Sequence, residues 1–108
     1  KINNFDLVLI EADTQNIQDL RQLVDSSKES QSHRCVLILS HQDSKVVMVC
    51  GITEDMQESL SANDVIQVIS KASNGKGGGR KDFAQGAGVT DNFEEFVNSI
   101  PDIVQSIA

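Results

Sequence analysis

Cys35-Val36-Leu37-Ile38-Leu39, then Gln42-Asp43-Ser44, then Val46-Val47-Met48-Val49-Cys50 is the stretch on which the fold turns. The first run is apolar without alternation, the pattern of a central strand covered on both faces, and the second follows at once. The polar triplet between them is turn chemistry, so the two runs predict an antiparallel hairpin. Such a hairpin needs further elements packed against it.

Working outward, Phe5-Asp6-Leu7-Val8-Leu9-Ile10 predicts a strand, and Asp13 or Thr14 can cap the helix after it. Ile17, Leu20, Leu23 and Val24 repeat at helical spacing, while Gln18, Asp19, Arg21 and Gln22 face out. This helix should end near Ser26 or Lys28, before the polar loop Ser30-Gln31-Ser32-His33. On the other side of the hairpin, Glu54-Asp55-Met56-Gln57-Glu58 is an acidic connection with room for a helical turn. Ser61 or Asn63 starts a second helix, with Ala62, Val65, Ile66, Ile69 and Ala72 on one face and Val68 widening it. Asn74-Gly75 stops it, because Gly tolerates the left-handed conformation of a helix C-terminus.

A glycine loop over 75–79 follows, then a short strand, Phe83 to Val89, weakened by its glycines. Asp91 with Glu94 makes a capping box for the last helix. Phe93, Phe96, Val97, Ile100, Val104 and Ile107 form its apolar stripe. Pro101 predicts a kink or a fresh start there, yet the stripe keeps its phase, so both halves should pack on one sheet. The order β-α-β-β-α-β-α predicts an α/β (mixed α+β) fold, a mixed sheet with packed helices, in a single globular domain spanning 1–108.

Composition agrees with one compact domain. The chain has 108 residues, 39% of them hydrophobic, and with no Trp, no Tyr and four Phe its core must be mostly aliphatic. No apolar run approaches the ~20 residues of a membrane span, so no membrane partner is expected. A chain opening on Lys1 is expected to be a piece of something longer. Cys35 and Cys50 lie inside apolar runs, without the spacing of a zinc site or a disulfide framework. Reduced thiols packed as small hydrophobes are expected, which favours the cytoplasm.

The formal net charge is −7. Four of the nine basic residues, Lys71, Lys76, Arg80 and Lys81, fall between 71 and 81. With Asp82 that stretch carries +3, leaving −10 for the rest of the −7 chain. The molecule is an acidic body with one basic spot; whole-domain charge sets the far field, but contact is made by local patches. Charge alone would make that spot ordinary solubilising surface.

Other candidates carry no chemistry. His33 and His41 flank the second strand without a Cys, Asp or Glu at metal-ligand spacing. Ser40 and His41 are strand neighbours and point to opposite faces, so with Asp43 they make no triad. Glu54, Asp55 and Glu58 lack the glycine of an EF-hand and form a solvated connection.

The glycines are the outstanding feature: six of seven lie between 75 and 88, the other being Gly51. The segment is not a Walker loop, since Lys76 precedes the triple glycine, Arg80-Lys81-Asp82 follow it, and the predicted helix comes before. A helix C-terminus would repel a phosphate, so anion binding must come from Lys76, Arg80, Lys81 and backbone amides. On the residues alone, a tight crossover that lets helix and strand pack closely and a ligand loop stand level.

The segment Gly75-Lys76-Gly77-Gly78-Gly79-Arg80-Lys81-Asp82-Phe83-Ala84-Gln85-Gly86-Ala87-Gly88 resembles the signature of the globular domain that ends alanyl-tRNA synthetases, roughly GGKGGGRPDMAQGGG. The preceding helix and the strand-helix-hairpin layout agree, so the resemblance covers nearly the whole chain. Lys81 stands where proline is usual, Phe83 where methionine is usual, and Ala87 replaces a common glycine. The related DHH-type phosphoesterases carry GGGHxxAAG, and Arg80 stands in place of that histidine.

The resemblance implies a non-catalytic tRNA-binding module contacting the outer corner of tRNA(Ala) and linking aminoacylation with editing. It implies Lys76, Gly77, Gly78, Gly79, Arg80, Lys81 and Gln85 as nucleic-acid-binding residues. The other domains of the same synthetase are implied as partners, with homodimerisation possible. No cofactor is implied here; ATP, magnesium and zinc would belong to the parent synthetase. The alternatives are a substrate-gripping domain of a DHH-type phosphodiesterase, or a self-association module.

Overall fold

The computed structural model describes residues 5–13, 16–29, 32–57 and 60–107. Its elements are β1 (Asp6–Glu11), α1 (Ile17–Lys28), β2 (Arg34–Gln42), β3 (Lys45–Ile52), α2 (Ala62–Ala72), β4 (Lys76–Gly79), β5 (Phe83–Val89) and α3 (Phe93–Ile107), with a 3-10 turn at Glu54–Met56. The strands form one mixed sheet in the order β1-β2-β3-β5-β4. β1 runs parallel to β2, and every other neighbouring pair is antiparallel.

The deciding stretch forms the expected hairpin, with Leu37 opposite Cys50 and Leu39 opposite Met48. Its two-residue turn puts Asp43 in the left-handed region at φ 58°, a conformation that Asp tolerates better than most side chains. Because side chains alternate along a strand, β2 feeds two cores. Cys35, Leu37 and Leu39 pack with Met48, Cys50 and Ile52 against α2 and α3. Val36 and Ile38 pack with Val49 against Leu20 and Val24 of α1. Each fully buried aliphatic side chain contributes about 1.5–3 kcal/mol, so this central hairpin anchors both layers.

Local signals shift at the helix ends. Ser61 caps α2 as expected, its Oγ accepting the Asp64 amide at 3.1 Å. Asn16, not Asp13, caps α1, accepting from the Gln18 and Asp19 amides at 2.9 and 3.3 Å; Asp13 lies too far upstream, and Thr14 falls outside the described residues. The cap expected of Asp91 with Glu94 falls one residue later, at Asn92 with Glu95, and the Asn92 amide goes to Thr90 Oγ1 instead of closing a reciprocal box. Asn92 Oδ1 accepts the Glu95 amide at 3.1 Å, and its Nδ2 donates to Glu95 Oε2 at 3.4 Å. At the end of α2 the left-handed residue is Asn74 at φ 58°, and no described glycine has positive φ.

Pro101 does not divide the last helix: α3 runs from Phe93 to Ile107 through it. Proline removes one amide from the ladder, while Phe96, Ile100 and Val104 stay buried on both sides of it. The polar loop before β2 is described only from Ser32. Segment 76–79, expected as a loop, is the edge strand β4, paired with β5 from Lys76 opposite Ala87 to Gly79 opposite Ala84.

Candidate nucleic-acid interface

β4 is a strand of one lysine and three glycines, so side-chain propensity cannot make it one. It is held by its ladder to β5 and by α2, which lies on both strands. A Cβ on Gly77 would stand 2.5 Å from Ile66 Cγ2, and one on Gly88 would stand 1.9 Å from Ser73 Oγ. The glycines therefore work as absent side chains, letting helix and sheet backbones approach closely.

β4 runs back along α2, so the turn at Arg80-Lys81-Asp82 arrives at the N-terminus of that helix. The repulsion expected from the helix C-terminus does not apply there, because strand geometry carries the basic residues to the positive end instead. The carbonyls of this turn point inward. The Arg80 carbonyl accepts from the Asn63 amide at 3.0 Å, that of Lys81 from the Ala62 amide at 3.0 Å, and that of Asp82 from the Ile52 amide at 3.1 Å. Lys28 Nζ also donates to the Asp82 carbonyl, at 3.4 Å.

The same bonds occupy the first amides of α2, so the helix N-terminus offers no open amide cradle. Gly79 N–H donates to Asn63 Oδ1 at 3.0 Å, and Arg80 N–H to the Phe83 carbonyl at 2.8 Å. The polarity of this corner therefore resides in exposed side chains. Arg80 Nε sits 3.4 Å from Asp82 Oδ1, with the two side chains 69% and 45% exposed. A pair that exposed is worth about 0–1 kcal/mol and releases Arg80 readily to a stronger anion. Lys81 is exposed beside it.

Lys76 is exposed at the other end of β4. Four strand steps at ~3.3 Å put Arg80 about 13 Å away, so the two cations mark separate points along this edge. Gln85 stands between them on β5, exposed and paired with Gly78. Two open clefts flank it. One of 340 Å³ is lined by Ile17, Val47, Lys76, Gln85, Gly86 and Ala87. The other, of 480 Å³, is lined by Arg21, Arg80, Phe83, Gln85 and neighbouring backbone. This strip is open because α1 packs mainly on β2 and β3 and reaches β5 only at Phe83, leaving Gln85, Ala87 and Val89 exposed on that face.

The strip brings Lys76, Arg80, Lys81 and Gln85 onto one margin, while Gly77 and Gly79 serve the close packing beneath it. Sequence reasoning missed Arg21 and Lys28. They are seven residues apart, two helical turns, and so share a face of α1; that spacing was the available signal.

The other candidates are structural. His33 Nδ1 lies 3.1 Å from Asp55 Oδ2, and the His33 amide donates to the same carboxylate at 3.0 Å. The Thr53 hydroxyl, then the His33 amide and imidazole, hold the Asp55 carboxyl below its usual range. The His41 ring stacks on Phe93, 4.5 Å between centroids. Ser40 is buried and His41 exposed, on opposite faces. Among the described residues no group of three or more His, Cys, Asp or Glu could hold a metal. No helix among them is long and apolar enough to cross a membrane.

The profile of the DHHA1 domain family matches residues 7–106. The chain belongs to that family. Relatives of this DHHA1 domain are alanine–tRNA ligases: that of Staphylococcus aureus strain bovine RF122 / ET3-1 is 29% identical over 108 residues, covering 99% of this chain and 12% of the ligase. That of Pseudomonas entomophila strain L48 is 42% identical over 77 residues, covering 71% of this chain and 9% of the ligase. The chain thus spans about a tenth of these relatives. The C-Ala domain of Aquifex aeolicus alanyl-tRNA synthetase, known from a crystal structure, superposes with a TM-score of 0.84 at 29% identity. That match covers 97% of this DHHA1 domain and 96% of the solved chain. The homology is to a domain of alanyl-tRNA synthetase.

Proposed function

We propose that this DHHA1 domain is a non-catalytic tRNA-binding module of an alanyl-tRNA synthetase. It contacts the outer corner of tRNA(Ala) and helps the other domains of the enzyme share one substrate between aminoacylation and editing. One observation carries the reading. The three carbonyls of the 80–82 turn are bonded inward, so the turn is rigid and presents Arg80 and Lys81 outward. Lys76 continues the basic margin about 13 Å along the same strand.

Asp64 in the first turn of α2 and the loosely paired Asp82 offset only part of the charge of Arg80, Lys81 and the helix N-terminus, which leaves a need for negative charge. A phosphate backbone meets it at two or more separate points. The planar fork of Arg80 suits one phosphate, and Lys76 serves another as a point charge. Gln85, between them, can donate and accept. With no aromatic ring standing free on the strip, recognition is of backbone and shape, as for other folded RNA. The acidic body limits binding elsewhere on the surface and turns this margin toward the RNA. No metal or nucleotide is needed for this role; ATP, magnesium and zinc belong to the catalytic parts of the parent enzyme.

An NMR titration of the chain with a tRNA(Ala) transcript tests the location. Shifts concentrated at residues 76–85 are expected, weakened when the D-loop–T-loop corner of the tRNA is unfolded by mutation. Perturbation confined to another surface would refute the assignment.

A further inference from the structure

The guanidinium of Arg21 lies over the ring of Phe83, 4.5 Å from its centroid. Arg21 comes from α1 and is exposed; Phe83 opens β5, is only 9% exposed, and belongs to the core under α1. The ring is the fixed partner and the guanidinium the held one. Two turns further along the helix, Lys28 bonds the Asp82 carbonyl, so α1 meets the hairpin at two points.

Arg21 and Arg80 wall the same open cleft of 480 Å³, with Phe83, Gln85, Gly78 and Gly79 among its other lining residues. No carboxylate is in that lining; the nearest that the turn supplies is Asp82, engaged with Arg80 from outside it. Two arginines lining one open cleft suit an anion with several acceptor oxygens. A guanidinium held over a ring keeps N–H groups free to donate, and its planar fork is one that a lysine ammonium cannot reproduce.

We infer that Arg21 is a phosphate-binding residue of this RNA surface, with Phe83 positioning its guanidinium across the cleft from Arg80. The inference rests on the tRNA-binding reading and extends that surface from the hairpin onto helix α1. The cleft places an RNA phosphate between Arg21 and Arg80. Restricting the arginine beforehand lowers the ordering cost of the contact.

Binding of labelled tRNA(Ala) transcript to the purified chain across a salt series tests it. Arg21→Gln should weaken binding roughly tenfold and flatten log affinity against log salt by ~0.7–0.9. Arg21→Lys should keep the slope and lose a few-fold in affinity. Phe83→Leu should weaken binding in the same direction as Arg21→Lys, and add nothing further to Arg21→Gln. Wild-type affinity and slope in Arg21→Gln, with the Lys76→Ala/Arg80→Ala variant impaired, would overturn this inference and leave the tRNA-binding reading intact. A lowered melting temperature with an unchanged slope would likewise overturn it, marking Arg21 as a lid on the ring. Absence of tRNA binding by the wild type would remove both.

Discussion

The backbone carbonyl of Arg80 accepts a 3.0 Å hydrogen bond from the amide of Asn63, in the first turn of α2. This contact turns a glycine-rich hairpin into a fixed platform. It joins a sheet-edge turn to a helix N-terminus and satisfies an amide that helix geometry leaves open. It also orients the turn so that side chains, not carbonyls, meet solvent. The neighbouring Lys81–Ala62 bond repeats the arrangement, and the Asp82–Ile52 bond ties the turn to the end of β3.

Asn63 fastens the hairpin a second time, its Oδ1 accepting from Gly79 N–H at 3.0 Å. Asn63→Ala keeps the main-chain bond and loses the side-chain one, and should cost about 1 kcal/mol in urea unfolding. Asn63→Asp keeps an acceptor there and should recover most of that stability. It also places a negative charge beside Arg80, so tRNA binding should fall although the fold is intact.

The glycines should divide by contact, not by position in the motif. Gly88→Ala drives a methyl to 1.9 Å from Ser73 Oγ and should destabilise by about 1–3 kcal/mol, as overpacking does. Gly78→Ala meets its nearest atom, Asn63 Oδ1, at 3.0 Å, so a small shift of that side chain accommodates it at lower cost. Unfolding midpoints of the two variants give the comparison.

Much of the fold was legible because its signals are side-chain patterns. The 35–39 run announces a doubly covered strand and the 46–50 run its hairpin partner, and the α2 and α3 stripes point to the core that receives them. What was not legible has a common cause. β4 has no side chains beyond Lys76, so it shows no period of two, and only α2 and β5 make it a strand. The caps slid from Asp13 to Asn16 and from Asp91 to Asn92, because several neighbouring polar residues can each cap and packing selects the phase. At the candidate site, Lys76, Arg80, Lys81 and Gln85 were visible in the motif. Arg21 was placed on the solvent face, and only the tertiary fold shows that Phe83 lies beneath it.

The two cysteines are free and buried, with their Sγ atoms 3.8 Å apart. Both thiols should resist a polar thiol reagent in the folded protein and react fully in denaturant. The hydrogen-bonding contact with Cys35, and then burial, push the Cys50 thiol well above its ordinary value. Below the ordinary thiol pKa of about 8.5 the group is neutral in both states and its contribution is intact. As the pH rises past that value, the unfolded chain releases a proton that the folded chain keeps, so stability falls. Melting temperatures at pH 7 and above pH 9 should therefore diverge less in Cys50→Ala than in the wild type.

The central claim is that Arg80, on a turn fixed from within, and Lys76, at the far end of β4, are phosphate contacts. The deciding measurement is the salt dependence of tRNA(Ala) binding by wild type and by Lys76→Ala/Arg80→Ala, with thermal melts of both. The account predicts an unchanged melting temperature, weaker binding, and a log–log salt slope reduced by ~1.4–1.8, since ~13 Å of strand separates the two contacts and each contributes ~0.7–0.9. Unchanged affinity and slope with a markedly lower melting temperature would contradict it, reducing the basic margin to part of the scaffold.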